Sequence, residues 1–189
     1  MKSSEIIKQA TAEFNEERQF YVFSNASSEL DENDKAGKQD LYKEASKHFG
    51  EIEDTTEIID FVRWGITNNL EVDIDTAVGM VKAHIKENDV PKSYFLMELA
   101  GLYTVESYTE KTKYAGDKAK RDQLIAMAID VASVLDDFQK IILAIGNPYR
   151  GIYLGDKDRA NEVLELSKAK LEKKDVTKLK NNCTKEGCL

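Results

Sequence analysis

The chain has 189 residues, 41% hydrophobic and 33% charged, a balance that fills a core while leaving a charged surface; this excludes a disordered acidic chain and suits one ordinary domain. Only 2 Pro and 10 Gly occur, which disfavours a many-turned sandwich or barrel and points to an all-α fold. With 27 Lys and Arg against 35 Asp and Glu, the formal charge of -8 repels nucleic acid backbones and anionic membranes.

Start and stop signals divide the chain into about six helices, expected to form a compact bundle with no sheet. The first runs from Ser4 to about Phe23, with Ile6, Ile7, Ala10, Phe14 and Tyr21 at helical spacing. A second covers about Lys38 to Gly50, turning Leu41, Ala45 and Phe49 inward. A third begins at Asp54, where Asp54-Thr55-Thr56-Glu57 has the form of a capping box, and ends near Asn68-Asn69. The fourth spans about Asp75 to Glu87, and Pro91 opens a fifth from Lys92 to about Tyr114. A long helix from Asp117 to Ile145 aligns Leu124, Ala128, Val131, Leu135, Phe138 and Ile142 and is expected at the centre of the core. After the loop at 146–151, Asp156 caps a last helix to about Lys174. The domain is thus placed at 1–175, with 176–189 as a flexible C-terminal tail.

No secretory signal is seen after Met1, and the most apolar run, Leu124 to Ile145, contains Asp130, Asp136, Asp137 and Lys140, too costly for a bilayer centre. A cytoplasmic protein without membrane contact is expected. The lysines from Lys168 to Lys185 are interrupted by Glu172, Asp175 and Glu186 and accompanied by no aromatic that can stack on bases, so they read as a solvated helix end and tail rather than a nucleic acid site. Cys183 and Cys188 lie too close to the end to staple a core and are read as free thiols.

Phosphate loops, dinucleotide fingerprints, serine elbows, HExxH and CxxC patterns do not occur, which leaves carboxylate chemistry. On the third helix Glu57 and Asp60 are three apart and border an apolar wall of Phe61 and Trp64; Glu44, His48 and Glu51 share one face of the preceding helix. Hard oxygen ligands so spaced suit Mg²⁺. The same acids have an ordinary explanation: Glu57 completes the capping box and Asp60 lies in a first turn where the helix dipole favours negative charge.

The stretch Glu57-Ile58-Ile59-Asp60, followed by Asp73-Ile74-Asp75 and an amphipathic segment ending Lys86-Glu87-Asn88, resembles the second half of the MazG-like and dimeric dUTPase all-α nucleotide pyrophosphohydrolases. The resemblance covers about residues 51–92. It implies an all-α, usually oligomeric fold, a nucleoside triphosphate cleaved at its α,β-phosphate bond, and Glu57 and Asp60 as catalytic magnesium ligands with Glu44 or Glu51 completing the site. The family's first motif, EExxE, has no counterpart in the preceding helix, which offers Asp40, Glu44 and Glu51, and Asp73 stands where the family has a glycine.

The other reading is an acidic binding or regulatory protein without catalysis and without a cofactor, engaging a protein partner or itself. Its candidate surface comprises Trp64, Tyr103, Tyr149, Arg150 and Tyr153, drawn from the single tryptophan, the tyrosine-rich fifth helix and the loop after Pro148, residue types favoured at interaction hot spots.

Overall fold

The computed structural model of the chain describes residues 2–17, 19–52, 54–87, 92–104, 116–147 and 155–189, the side chains of 84–87 and 92 excepted. Among the described residues it contains ten α-helices and no strand, so the all-α class holds while the expected count of about six does not. None of the described helices is long and apolar enough to cross a membrane. The described residues divide into two compact units, one up to His84 and one from Ile85 onward, where the sequence suggests a single domain.

The first unit is built from α1 (Ser3–Glu17), α2 (Tyr21–Glu29), α3 (Lys35–Ser46), a 3-10 turn (Phe49–Glu51), α4 (Thr55–Thr67) and most of α5 (Ile74–Glu87). The single helix expected over Ser4–Phe23 is two, because the chain turns before Phe20 and drives that ring into the core. Phe20 lies 5.3 Å from Phe23, 5.7 Å from Phe49 and 5.2 Å, edge-on, from Phe61, so one side chain ties together α2, the 3-10 turn and α4. Tyr42 stacks on Phe61 at 5.8 Å, and burial pushes its phenol well above the ordinary tyrosine range. Gly65 lets α4 approach α3: a Cβ there would stand 2.7 Å from Val72 Cγ2 and 2.8 Å from the Tyr42 ring.

Polar caps fix the ends of these helices. The carboxylate of Asp34 accepts the Gly37 amide at 2.8 Å and the Ser3 hydroxyl, which ties the start of α1 to the start of α3. Asp73 accepts both the amide of Thr76 at 3.0 Å and its hydroxyl at 2.7 Å, opening α5 and holding the carboxyl below the usual range. The connection between α4 and α5 is clasped to α3 by Lys38 on Asn68 and by Gln39, whose amide group both accepts from and donates to the backbone of Glu71.

The second unit contains α6 (Lys92–Leu102), α7 (Lys118–Val131), α8 (Leu135–Gly146), α9 (Lys157–Ser167) and α10 (Lys173–Lys185). Leu96, Met97, Leu99, Ala100 and Leu102 of α6 are all buried, as suits a helix apolar on more than one side. Helix α8 is the centre: Phe138, Ile141, Ile142 and Ile145 are fully buried, and α6, α7, α9 and α10 all pack on it.

The long helix expected over Asp117–Ile145 breaks at Ala132-Ser133-Val134. The carboxylate of Asp137 accepts the amides of Ser133 at 3.0 Å and Val134 at 3.3 Å, capping α8, and the Ser93 hydroxyl at 2.9 Å. Burial raises the Asp137 pKa, but the Ser133 amide and the other donors outweigh it and hold the carboxyl below its ordinary value. The break turns Val131, expected in the core, out to 43% exposure. Residues 176–189, expected as a flexible tail, supply most of α10 and its cap, with Leu179, Cys183 and Cys188 fully buried. The reason is spacing: Val176, Leu179 and Cys183 recur at three and four residues and give α10 an inner face.

Candidate functional site

The acids singled out in the sequence lie on three elements of the first unit. Asp54 caps α4 by accepting the Thr56 amide at 2.8 Å. Glu57, in the first turn, is partly buried, and that burial, followed by the charge of Asp54, pushes its carboxyl above the usual range. Asp60, expected in the first turn, falls in the second turn of α4 because the helix starts at Thr55; it is 67% exposed and lies 3.5 Å from Arg63 of its own helix. Glu44 pairs with Lys47, and Glu51 accepts from His48 Nδ1 at 2.9 Å. Each acid is therefore described by a neighbour within three residues.

Among the described residues no group of three or more His, Cys, Asp or Glu side chains is placed to hold a metal ion. The structure thus does not bring Glu44, Glu51, Glu57 and Asp60 together, and this donor set does not fit the Mg²⁺ that the pyrophosphohydrolase resemblance implies. Helix α3 ends at Ser46, so Glu44, His48 and Glu51 do not share one helical face as the sequence suggests. The turn after it inserts the His48 ring between Phe14, at 4.6 Å, and Phe23, at 5.7 Å. Its Nε2 is buried with no hydrogen-bond partner among the described residues.

A cleft of about 510 Å³ opens between α1 and α3, lined by Ile7, Lys8, Thr11, Asn15, Asp40 and Glu44 among others. It holds one cation and two carboxylates over an apolar floor, and Glu44 is the only one of the candidate acids that reaches it.

Of the aromatic surface, Trp64 is half-buried and stacks on Phe61 at 4.9 Å. Tyr103, expected on a binding surface, is instead 5% exposed, carries Lys120 over its ring at 5.6 Å, and belongs to the core of the second unit. Tyr149, Arg150 and Tyr153 lie outside the described residues.

Three aliphatic side chains are exposed: Val131 at the end of α7, Val134 before α8 and Leu166 near the end of α9. Lys170 links these ends, its ammonium donating to the carbonyls of Ile129 at 3.0 Å, Asp130 at 2.8 Å and Ala132 at 3.1 Å. A cation placed on the final carbonyls of α7 satisfies acceptors that the helix leaves open.

The strongest surface feature is the distribution of charge. Residues 1–84 carry 9 Lys and Arg against 18 Asp and Glu, whereas residues 85–189 carry 18 against 17. Helix α1 presents Glu5, Gln9, Glu13 and Glu16 to solvent, and α10 presents Lys174, Lys178, Asn181 and Lys185. At ~100° per residue each set falls within about a quarter of the helix circumference. In the sequence these lysines are interrupted by Glu172, Asp175 and Glu186. In the structure Glu172 precedes the helix, Asp175 lies off the outer face, partly buried, and Glu186 is the exposed C-cap.

No known protein family, no curated protein and no solved structure matches the chain.

Proposed function

We propose that this chain acts by association with protein, as a binding or regulatory component without catalysis. The observation that carries this reading is the separation of charge onto two exposed helical faces, acidic on α1 and basic on α10. Among the described residues, Lys178 and Lys185 form no ion pair, Lys174 shares only an exposed pair with Glu172 at 2.9 Å, and no cation side chain pairs with Glu5, Glu13 or Glu16. Uncompensated charge of one sign on a rigid face steers encounter with a complementary surface and selects against the wrong one. The apolar inner side of α10 is already used by the core, so what this helix offers a partner is its lysine face.

The non-catalytic part is tested with a panel of ribo- and deoxyribonucleoside triphosphates and Mg²⁺. No pyrophosphate release is expected; release that disappears in Glu57→Gln would replace this reading with the hydrolytic one.

A further inference from the structure

We propose that the partner is a second copy of this chain, and that the lysine face of α10 on one copy lies against the glutamate face of α1 on the other. This deepens the binding reading by naming what is bound.

The two faces match in length and spacing. On α1, Glu5, Gln9, Glu13 and Glu16 follow one another at four, four and three residues; on α10, Lys174, Lys178, Asn181 and Lys185 follow at four, three and four. Both sets extend over twelve residues, eleven steps and about 16 Å of helix at ~1.5 Å per residue. Each has three charges of one sign and one neutral amide, and antiparallel contact sets three ammonium groups against three carboxylates, Lys185 on Glu5, Lys178 on Glu13 and Lys174 on Glu16, with Asn181 against Gln9. All eight side chains are exposed. Existing contacts are weak competitors: Glu13 accepts from Gln9 at 2.9 Å, Glu5 from the Lys2 amide at 3.1 Å, and Lys174 shares an exposed pair with Glu172 at 2.9 Å.

Other occupants of the lysine face fit less well. A nucleic acid strand would need stacking side chains, and residues 173–185 contain no aromatic. An anionic bilayer would need an apolar edge to insert, and Leu179 and Cys183 are fully buried in the second unit. An acidic face of matching length exists on the chain itself. The contact joins two different faces, so it closes only as a reciprocal pair and otherwise propagates. Exposed ion pairs are screened by salt, so the association strengthens towards ~20 mM ionic strength and is lost by ~0.5 M, where the Debye length shrinks to a few ångströms.

The test is sedimentation velocity on the full chain and on two charge-reversed forms, Lys174→Glu with Lys178→Glu and Lys185→Glu, and Glu5→Lys with Glu13→Lys and Glu16→Lys. Wild type should associate at low salt and dissociate at high salt; each triple variant alone should stay monomeric, and an equimolar mixture of the two should associate again. Helical circular dichroism confirms that each variant is folded, and the single changes Lys178→Glu and Glu13→Lys give the same comparison at smaller amplitude. A wild type that remains monomeric at low salt, or a mixture that fails to recover association, overturns the proposal. A polyglutamate peptide then separates the two readings: retained binding through α10 leaves the binding reading standing with a different partner, and no binding removes that reading as well.

Discussion

The amide nitrogen of Cys188 lies 3.0 Å from the carbonyl oxygen of Cys183, and with Gly187 donating to Thr184 at 3.0 Å this closes α10 in a Schellman motif. The left-handed residue is Gly187, at φ +73°. The motif brings together the side chains on either side of the turn, here two thiols, and both cysteines are fully buried. What the sequence offers as a loose end is a cap that seats α10 on α8.

Gly146, the last residue of α8, is the position that permits this seat. A Cβ there would stand 2.3 Å from the carbonyl oxygen of Cys188 and 2.9 Å from its Cβ. Gly146→Ala therefore forces the C-terminal cap away, at a cost of about 1–3 kcal/mol in urea unfolding of the second unit. Gly187→Ala, with open space around its Cβ but a left-handed backbone, should cost about 1 kcal/mol. Equal stability in both variants would show that the cap is not closed in solution.

Stability should fall on the alkaline side. Burial, then the neighbouring Cys188 and Glu186, pushes the Cys183 thiol from 9.0 up to about 12, and burial, then Asp73, raises the Tyr42 phenol in the first unit. An acid whose folded pKa is raised binds its proton more tightly when folded. Its contribution is fully present below the unfolded value, near pH 9 for the thiol, and is lost as pH rises towards about 12. Urea midpoints measured from pH 8 to 11 should decline, and a thiol reagent at pH 8 should leave Cys183 unmodified until unfolding. Rapid labelling of Cys183 in the native chain would contradict its burial.

His48 is held for shape more than for its polarity. Its Nδ1 reaches the exposed Glu51 at 2.9 Å, but Nε2 is buried without a partner among the described residues and the ring lies between Phe14 and Phe23. An exposed pair adds little, while an unsatisfied buried nitrogen costs desolvation. His48→Phe should be neutral or stabilising by up to ~1 kcal/mol, and His48→Ala should destabilise by ~2–4 kcal/mol through the cavity it leaves. Thermal melts of the two variants give the order; a destabilised His48→Phe would mean that Nε2 has a partner in solution.

Helices opened by side-chain caps were legible in the sequence, as Asp54 before α4, Asp117 before α7 and Asp156 before α9 illustrate. The breaks before Phe20 and Leu135, which carry neither glycine nor proline, were not. Phe20 interrupts the first helix because its ring is worth more in an aromatic core than on a continuing helical surface, a tertiary preference that no local pattern records. The break before α8 did leave a local trace, Ser133 followed by Asp136 and Asp137, that apolar periodicity across the joint concealed. The acids of the candidate site were legible as residue types only. Whether Glu44, Glu51, Glu57 and Asp60 meet depends on where α3 stops, and it stops at Ser46, before the turn that carries His48 inward.

The most direct measurement of the central claim is zero-length carbodiimide cross-linking of an equal mixture of ¹⁴N- and ¹⁵N-labelled chains at low salt, read by mass spectrometry. Mixed-isotope cross-links joining Glu5, Glu13 or Glu16 to Lys174, Lys178 or Lys185 are predicted, and should vanish at ~0.5 M salt. Cross-links found only within one isotope, or none between these two faces, would contradict it.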